Sequence, residues 1–135
     1  MKINPYLNFD GNGAEALAYY TDVLGGTVQS SMTFGGMPDS PEWVTDANKD
    51  RLANAVLKVG EQVIMISDTA GFEPHKGFEG VTLQIAADTV EEGEALFAKL
   101  SEGGEVRMPF APTFWAKGFG MCSDKFGVPW MINVE

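Results

Sequence analysis

Hydrophobic and polar positions alternate over the first nine residues, which predicts a β-strand over 2–9. Beyond a turn at Asp10–Gly13 the apolar spacing becomes helical, and we expect a helix over 13–24. Asn12 is predicted to cap this helix with Glu15 as its capping-box partner, and Gly25 to end it in the left-handed conformation. The strand would carry Ile3, Pro5, Leu7 and Phe9 on one face and Asn4, Tyr6 and Asn8 on the other, and the helix would bury Leu17, Tyr20 and Leu24.

Three more strands are predicted after this helix, at 27–34, 51–59 and 62–68. The last two are separated only by Gly60–Glu61 and should form a hairpin. Residues 35–50 form a long polar loop with two prolines, and loops of this length are often functional or mobile. The first half of the chain is therefore predicted to have the order βαβββ.

The second half repeats this order after a connector at 69–79. Thr89 and Glu92 form a capping box, which marks the start of the second helix. Pro129 cannot donate a hydrogen bond to a neighbouring strand, so we expect the last strand to lie at an edge or to contain a bulge. The predicted elements are a strand at 80–87, a helix at 90–102 that buries Leu96, Phe97 and Leu100, and strands at 104–110, 117–123 and 128–134.

A repeated motif indicates that the two halves are copies of one unit. Glu-Ala-Leu opens the helical pattern at Glu15 and again at Glu94, 79 residues later, and a Gly-Gly pair closes it both times. A period of about half the chain indicates a duplication rather than a solenoid. We therefore predict one domain over 1–135, with module 1 at about 1–68, the connector at 69–79 and module 2 at about 80–135.

Composition restricts the functional classes. The chain has 135 residues, 44% of them hydrophobic, which suffices for a packed core. Its formal net charge of −10 disfavours nucleic-acid binding. It contains neither a membrane span nor the apolar region of a signal peptide, and the single Cys122 excludes an internal disulfide. These features predict a cytoplasmic protein with no membrane partner.

Several motifs resemble those of a known family. They are N-P-Y-L-N-F at the start, A-Y-Y-T-D-V-L-G-G in the first helix, T-F-W-A-K-G-F-G, and D-K-F-G-V-P-W-M-I-N-V at the end. Together they resemble the PhnB-like branch of the vicinal oxygen chelate (VOC) superfamily, which includes glyoxalases, bleomycin resistance proteins and dioxygenases. The resemblance implies an α+β fold in which two tandem βαβββ modules form half-barrels, and it implies a homodimer.

In metal-dependent relatives, four His, Gln or Glu side chains from the first and last strands of the two modules bind the metal. The resemblance implies that the corresponding positions in this sequence are Asn4 or Pro5, Met65, Val81 and Met131. None of these residues is a normal ligand for a divalent cation. We therefore expect no metal and no cofactor.

Three other candidate sites have simpler interpretations. His75 lies in a loop with glycine and proline, where an exposed side chain is the better interpretation than a base or ligand. Cys122 lies in a strand pattern with no histidine nearby in sequence, which favours a buried thiol over a nucleophile. The acidic residues of the long loop lack the spacing of a calcium loop and are expected to be solvated; they are Asp39, Glu42, Asp46 and Asp50.

The aromatic-glycine stretch remains open between two interpretations, because its aromatics fit the core and fit a ligand pocket or dimer interface equally well. It contains Phe110, Phe114, Trp115 and Phe119. Methionines suit an irregular apolar pocket, and nearby polar side chains would orient a ligand. The predicted ligand-binding residues are Tyr6, Asn8, Met65, Ser67, Phe114, Trp115, Phe119, Met131 and Asn133.

Two functional hypotheses follow. The first is a metal-free, homodimeric binding protein that holds a small apolar or aromatic molecule in a cup. The second is an enzyme, an isomerase or lyase similar to glyoxalase, whose substrate and catalytic residues the sequence does not identify. The second rests on analogy with the superfamily. An enzyme should have a titratable group in its pocket, whereas a binding protein does not need one.

Overall fold

The computed structural model describes residues 1–39 and 41–135, so Ser40 in the predicted loop at 35–50 lies outside the described residues. The βαβββ order occurs twice, and the predicted fold class, α+β with two tandem βαβββ modules, is confirmed. The elements are β1 (Tyr6–Phe9), α1 (Gly13–Leu24), β2 (Thr27–Thr33), β3 (Leu52–Val59), β4 (Gln62–Asp68), β5 (Leu83–Ala86), α2 (Val90–Ser101), β6 (Glu105–Ala111), β7 (Gly118–Ser123) and β8 (Pro129–Val134).

The residue contacts divide the chain into unit 1, Met1–His75, and unit 2, Lys76–Glu135. In unit 1 the strand order is β1-β4-β3-β2, and α1 packs on β3 and β4. In unit 2 the order is β5-β8-β7-β6, and α2 packs mainly on β7 and β8. Only the β1–β4 and β5–β8 pairs are parallel. That the two modules form one domain stays a prediction.

Both first strands are shorter than the alternation predicted. β1 begins at Tyr6 and β5 at Leu83, so the predicted strand starts at 2 and 80 are wrong, and Ile3 and Val81 lie outside the strands. Ile3 is 91% exposed and Val81 is 62% exposed. The alternation of apolar and polar residues begins before the segment that is paired in the sheet. β1 pairs with β4 only from Tyr6 to Phe9.

The two helices pack broadly as predicted, with one difference in each. In α1 the buried face includes Val23, whereas Leu24 at the last position is only half-buried. In α2 Phe97 and Leu100 are buried, and Leu96 is half-buried. No helix among the described residues is long and apolar enough to span a membrane.

Helix capping follows the prediction in only one module. The Thr89 hydroxyl accepts the Glu92 N–H at 3.1 Å, as expected, while the Glu92 carboxylate accepts the N–H of Asp88 at 3.0 Å. Asn12 stands at the N-cap of α1 but makes no capping bond with its side chain. A side chain distant in sequence takes its place, and local spacing could not reveal it.

The buried carboxylate of Asp68, at the end of β4, caps α1 and fixes the start of β3. Its Oδ1 accepts the N–H groups of Gly11 at 2.9 Å and Gly13 at 2.8 Å, and its Oδ2 accepts the N–H of Leu52 at 2.7 Å. A negative charge is also favourable at a helix N-terminus. A Cβ on Gly13 would lie 2.8 Å from Asp68 Oδ1, so this position requires glycine.

In unit 2 a second buried carboxylate closes the turn between β7 and β8. Asp124 Oδ1 accepts the N–H groups of Phe126 and Val128 at 2.8 and 3.1 Å, and its Oδ2 accepts Nε1–H of Trp130 at 2.8 Å. β8 lies between β5 and β7, so the prediction that Pro129 marks an edge strand or a bulge is wrong. Pro129 is the first residue of β8, where a missing N–H is tolerated.

We predict that Asp68→Ala lowers the free energy of unfolding by roughly 3 kcal/mol or more, because three backbone N–H groups, two of them in buried hydrogen bonds, lose their acceptor. Asp39→Ala removes an exposed carboxylate and should change stability by less than about 0.5 kcal/mol. Urea unfolding of both variants measures this difference. A loss below about 1 kcal/mol for Asp68→Ala would contradict the capping role.

Candidate functional site

One sheet face of unit 1 is turned away from α1 and brings four predicted site residues together. Tyr6 is opposite Met65, and Asn8 is opposite Ser67, in the parallel β1–β4 pair. The alternate residues of β4, Ile64 and Ile66, are buried in the core. We call the face that carries Tyr6, Asn8, Asn54, Met65 and Ser67 the unit-1 open face; none of these residues is charged.

A polar pair lies on this face. Asn54 Nδ2 donates a hydrogen bond of 3.1 Å to the Tyr6 hydroxyl oxygen. Tyr6 is 45% exposed, whereas Ser67 on the same face is 7% exposed and donates its hydroxyl to the Asp68 carbonyl. Asn54 was not among the predicted site residues, because its place on the same side as Met65 depends on the register of β3 with β4.

Unit 2 has a corresponding open face. Gly120 faces α2, since a Cβ there would lie 2.8 Å from the Phe97 ring, so the neighbouring residues of β7 face away from the helix. In the ladder Phe119 is opposite Asn133, and Met131 lies between Met121 and Gln84. The unit-2 open face thus consists of Gln84, Phe119, Met121, Met131 and Asn133, again without a charge.

The aromatic-glycine stretch divides between core and surface. Phe110 belongs to the core, because its ring packs against Phe97 with centroids 5.9 Å apart and occupies the space above Gly118. Phe114 is 97% exposed, and its ring meets Trp115 edge-on at 4.8 Å. Trp115 in turn meets Phe119 edge-on at 5.3 Å, which connects this turn to the unit-2 open face.

The aromatic turn has a fixed backbone. The Thr113 hydroxyl accepts the N–H groups of Trp115 at 3.3 Å and Ala116 at 3.1 Å, and the Thr113 N–H donates to the Ala116 carbonyl at 3.0 Å. A shallow depression of about 450 Å³ adjoins it. The residues lining this depression include Phe114, Trp115, Lys117 and Glu135.

The strand register corrects the positions that the resemblance assigned to metal ligands. Met65 is opposite Tyr6 rather than Asn4 or Pro5, and Met131 is opposite Gln84 rather than Val81. Gln84 was not among the predicted site residues because the resemblance assigned this position to Val81, which lies before the first residue of β5.

Neither pair of positions, Tyr6 with Met65 in unit 1 or Gln84 with Met131 in unit 2, fits a divalent cation. Gln84 offers an amide oxygen and Tyr6 a phenol, while Met65 and Met131 offer thioethers, which suit soft ions such as Cu(I) rather than zinc or magnesium. Among the described residues, no group of three or more His, Cys, Asp or Glu side chains is placed to hold a metal ion. We therefore derive no chemical step through a metal.

The remaining candidates have structural roles. His75 is half-buried rather than exposed, and its Nε2–H donates a 2.6 Å hydrogen bond to the Asn8 carbonyl, which ties the connector to β1. Cys122 is fully buried, as expected. Burial raises the pKa of its thiol to about 11, the Asp124 carboxylate adds to the rise, and Arg107 opposes it, so the thiol is a poor nucleophile.

The long loop is held in place by a buried side chain. Asn48 donates to the carbonyls of Trp43 at 3.0 Å and Ala70 at 3.2 Å, and its Oδ1 accepts the Thr45 N–H at 2.8 Å. The acidic residues of this loop are exposed, as predicted; they are Asp39, Glu42, Asp46 and Asp50.

The fold and the residues of the open faces define a class of protein. A family model described as the Glyoxalase/Bleomycin resistance protein/Dioxygenase superfamily matches residues 2–132, and the chain belongs to this superfamily. It is 40% identical over 143 aligned residues to protein YjdN of Escherichia coli (strain K12), which covers 99% of this chain and 95% of that protein. The predicted superfamily is therefore confirmed.

Solved structures agree with this assignment. The crystal structure of protein PA1353 from Pseudomonas aeruginosa matches with a TM-score of 0.90 and 43% identity, covering 100% of this chain and 98% of that one. A PhnB protein from Bacillus cereus matches with a TM-score of 0.83 and 24% identity over the whole of both chains. At that identity the match shows the fold alone.

Proposed function

We propose that this chain binds a small apolar or aromatic molecule on its open faces without a metal ion. The observation that carries this proposal is that the five defining residues of each open face are uncharged in a chain with a net charge of −10. Charged residues lie farther along the same sides, Lys58 opposite Val63 in unit 1 and Glu105 opposite Ser123 in unit 2.

In unit 2 the face combines two methionines with Phe119 and with the amides of Gln84 and Asn133; Gln84 is exposed and the other four residues are half-buried. Such surfaces, apolar with a few polar groups, are typical of ligand sites.

Methionine suits this role because its side chain adapts to ligands of irregular shape. Met121 and Met131 lie opposite each other on adjacent strands, and Trp115 extends the apolar surface through its contact with Phe119. The edge-on ring contacts leave aromatic faces available for stacking with a flat ligand.

The alternative is an enzyme, an isomerase or lyase similar to glyoxalase. Such a reaction would need a group that moves a proton, and on the unit-1 open face the Tyr6 hydroxyl is the group of that type. We favour binding, because apart from the Tyr6 phenol and the Ser67 hydroxyl the named residues of both faces provide amides, thioethers and an aromatic ring.

A pair of adjacent substitutions in β8 tests the binding proposal, with N-phenylnaphthylamine as a neutral fluorescent probe. Met131 lies on the open face, where water can solvate a carboxylate, so Met131→Glu should cost about 1 kcal/mol or less of stability. Ile132 points into the core, and Ile132→Glu should cost at least about 3 kcal/mol. Thermal unfolding gives the stabilities, and probe fluorescence gives the affinity.

We expect the wild-type chain to bind the probe and Met131→Glu to stay folded with at least about 10-fold weaker binding, since a carboxylate disfavours an apolar ligand. Absence of probe binding by the wild type would contradict the proposal. Collapse of Met131→Glu to the level of Ile132→Glu would show that the face is packed shut. The ligand site would then have to be sought around Phe114 and Trp115.

We also propose that the protein is a homodimer. Exposed apolar residues lie on its sheet-edge strands, Val28 and Met32 on β2 and Val106 and Met108 on β6. Exposed strand edges and apolar patches favour association. Sedimentation at micromolar concentration should therefore give about twice the chain mass of 14.6 kDa. Sedimentation at the monomer mass alone would contradict a dimer.

A further inference from the structure

The Tyr6 hydroxyl accepts a hydrogen bond from Asn54, and its own hydrogen is available as a donor. A phenol has one O–H donor and accepts through its lone pairs. Asn54 Nδ2 donates to the Tyr6 oxygen at 3.1 Å and so occupies one lone pair. Tyr6 donates to no acceptor among residues 1–39 and 41–135, so its O–H remains available to a ligand.

The position of the pair places this donor over the sheet. Tyr6 is on β1 and Asn54 on β3, and β4 runs between them. Strands two apart are separated by about 10 Å, so the phenol must extend across the open side of β4 to reach Asn54. Met65, opposite both Tyr6 and Val56, lies on the strand that the ring crosses. The phenol therefore crosses β4 on the side that carries Met65 and Ser67.

We propose that the Tyr6 hydroxyl, positioned by Asn54, donates a hydrogen bond to an oxygen of the bound molecule. The ligand class is a neutral apolar or aromatic molecule that carries a carbonyl oxygen. This inference rests on the proposed binding function. It identifies the Tyr6 hydroxyl as the group on the unit-1 open face that recognises a polar atom of the ligand.

Charge and chemistry favour a neutral carbonyl over an anion. The defining residues of the unit-1 open face offer a phenol and amides, and the chain carries a net charge of −10. Lys58 is on the same side of β3 but lies opposite Val63, whereas the Tyr6 hydroxyl reaches in the other direction along β3, to Asn54. A buried carboxylate without a cationic partner would be costly. A carbonyl oxygen needs only one good donor, and its apolar remainder can contact Met65.

Two neutral naphthalene probes separate recognition of oxygen from apolar binding. Prodan carries a ketone carbonyl, and N-phenylnaphthylamine does not. In Tyr6→Phe, the ratio of prodan affinity to N-phenylnaphthylamine affinity should fall about 5-fold, the effect of one hydrogen bond. Asn54→Ala should lower the same ratio about 2-fold, because the phenol is no longer held in place. Tyr19→Phe, on α1, is the matched control and should leave the ratio unchanged.

The emission of bound prodan provides a second readout, since a hydrogen bond to its carbonyl shifts the emission to longer wavelength. We expect the wild-type complex to emit at longer wavelength than the Tyr6→Phe complex. If both probes bind but neither the ratio nor the emission changes in Tyr6→Phe and Asn54→Ala, this inference is wrong while the binding function stands. If neither probe binds the wild type, the proposed function itself fails.

Discussion

The structure of unit 1 depends on one buried carboxylate. Asp68 joins the end of β4 to the first turn of α1 and to the first residue of β3, through three hydrogen bonds to backbone N–H groups. These bonds fix where α1 begins, and the buried residues of β3 and β4, among them Leu57 and Ile66, form the sheet face that the helix covers. Asp124 constrains unit 2 differently, by closing the β7–β8 turn and holding the Trp130 ring in the core. Each unit has one helix, so the second face of its sheet is not covered by that helix.

The uncovered faces explain how this fold can support binding without an acid, a base or a metal ligand. In β8 the alternation separates Ile132, which is fully buried, from Met131, which is half-buried on the other side. In β4 the same separation holds between Ile66 and Met65. The buried side chains that stabilise each sheet therefore lie mainly on one side. Residues on the other side can differ to suit a ligand without disturbing the core. This division agrees with a superfamily in which one fold has several functions.

Much of the fold could be predicted from the sequence, because it depends on local periodicity. The βαβββ repeat, the hairpin at Gly60–Glu61 and the alternation of β8 all follow from short-range patterns. The errors concern long-range contacts. The Asp68 cap acts over 55 residues of sequence, and the roles of Gln84 and Asn54 depend on strand register. The turn at Asp124 could have been predicted from the sequence, since Asp followed by Gly three residues later is a turn signal.

Methyl NMR of methionine-labelled protein tests most directly whether the open faces bind an apolar ligand. An aromatic molecule seated on these faces would shift the methyl signals of Met65 and Met131 through its ring current. Met1 is fully exposed and Met37 lies in the long loop, so both serve as internal references. On titration with N-phenylnaphthylamine, we predict saturable shifts for Met65 or Met131 and unchanged signals for Met1 and Met37. Saturable binding that leaves both Met65 and Met131 unshifted would contradict this account.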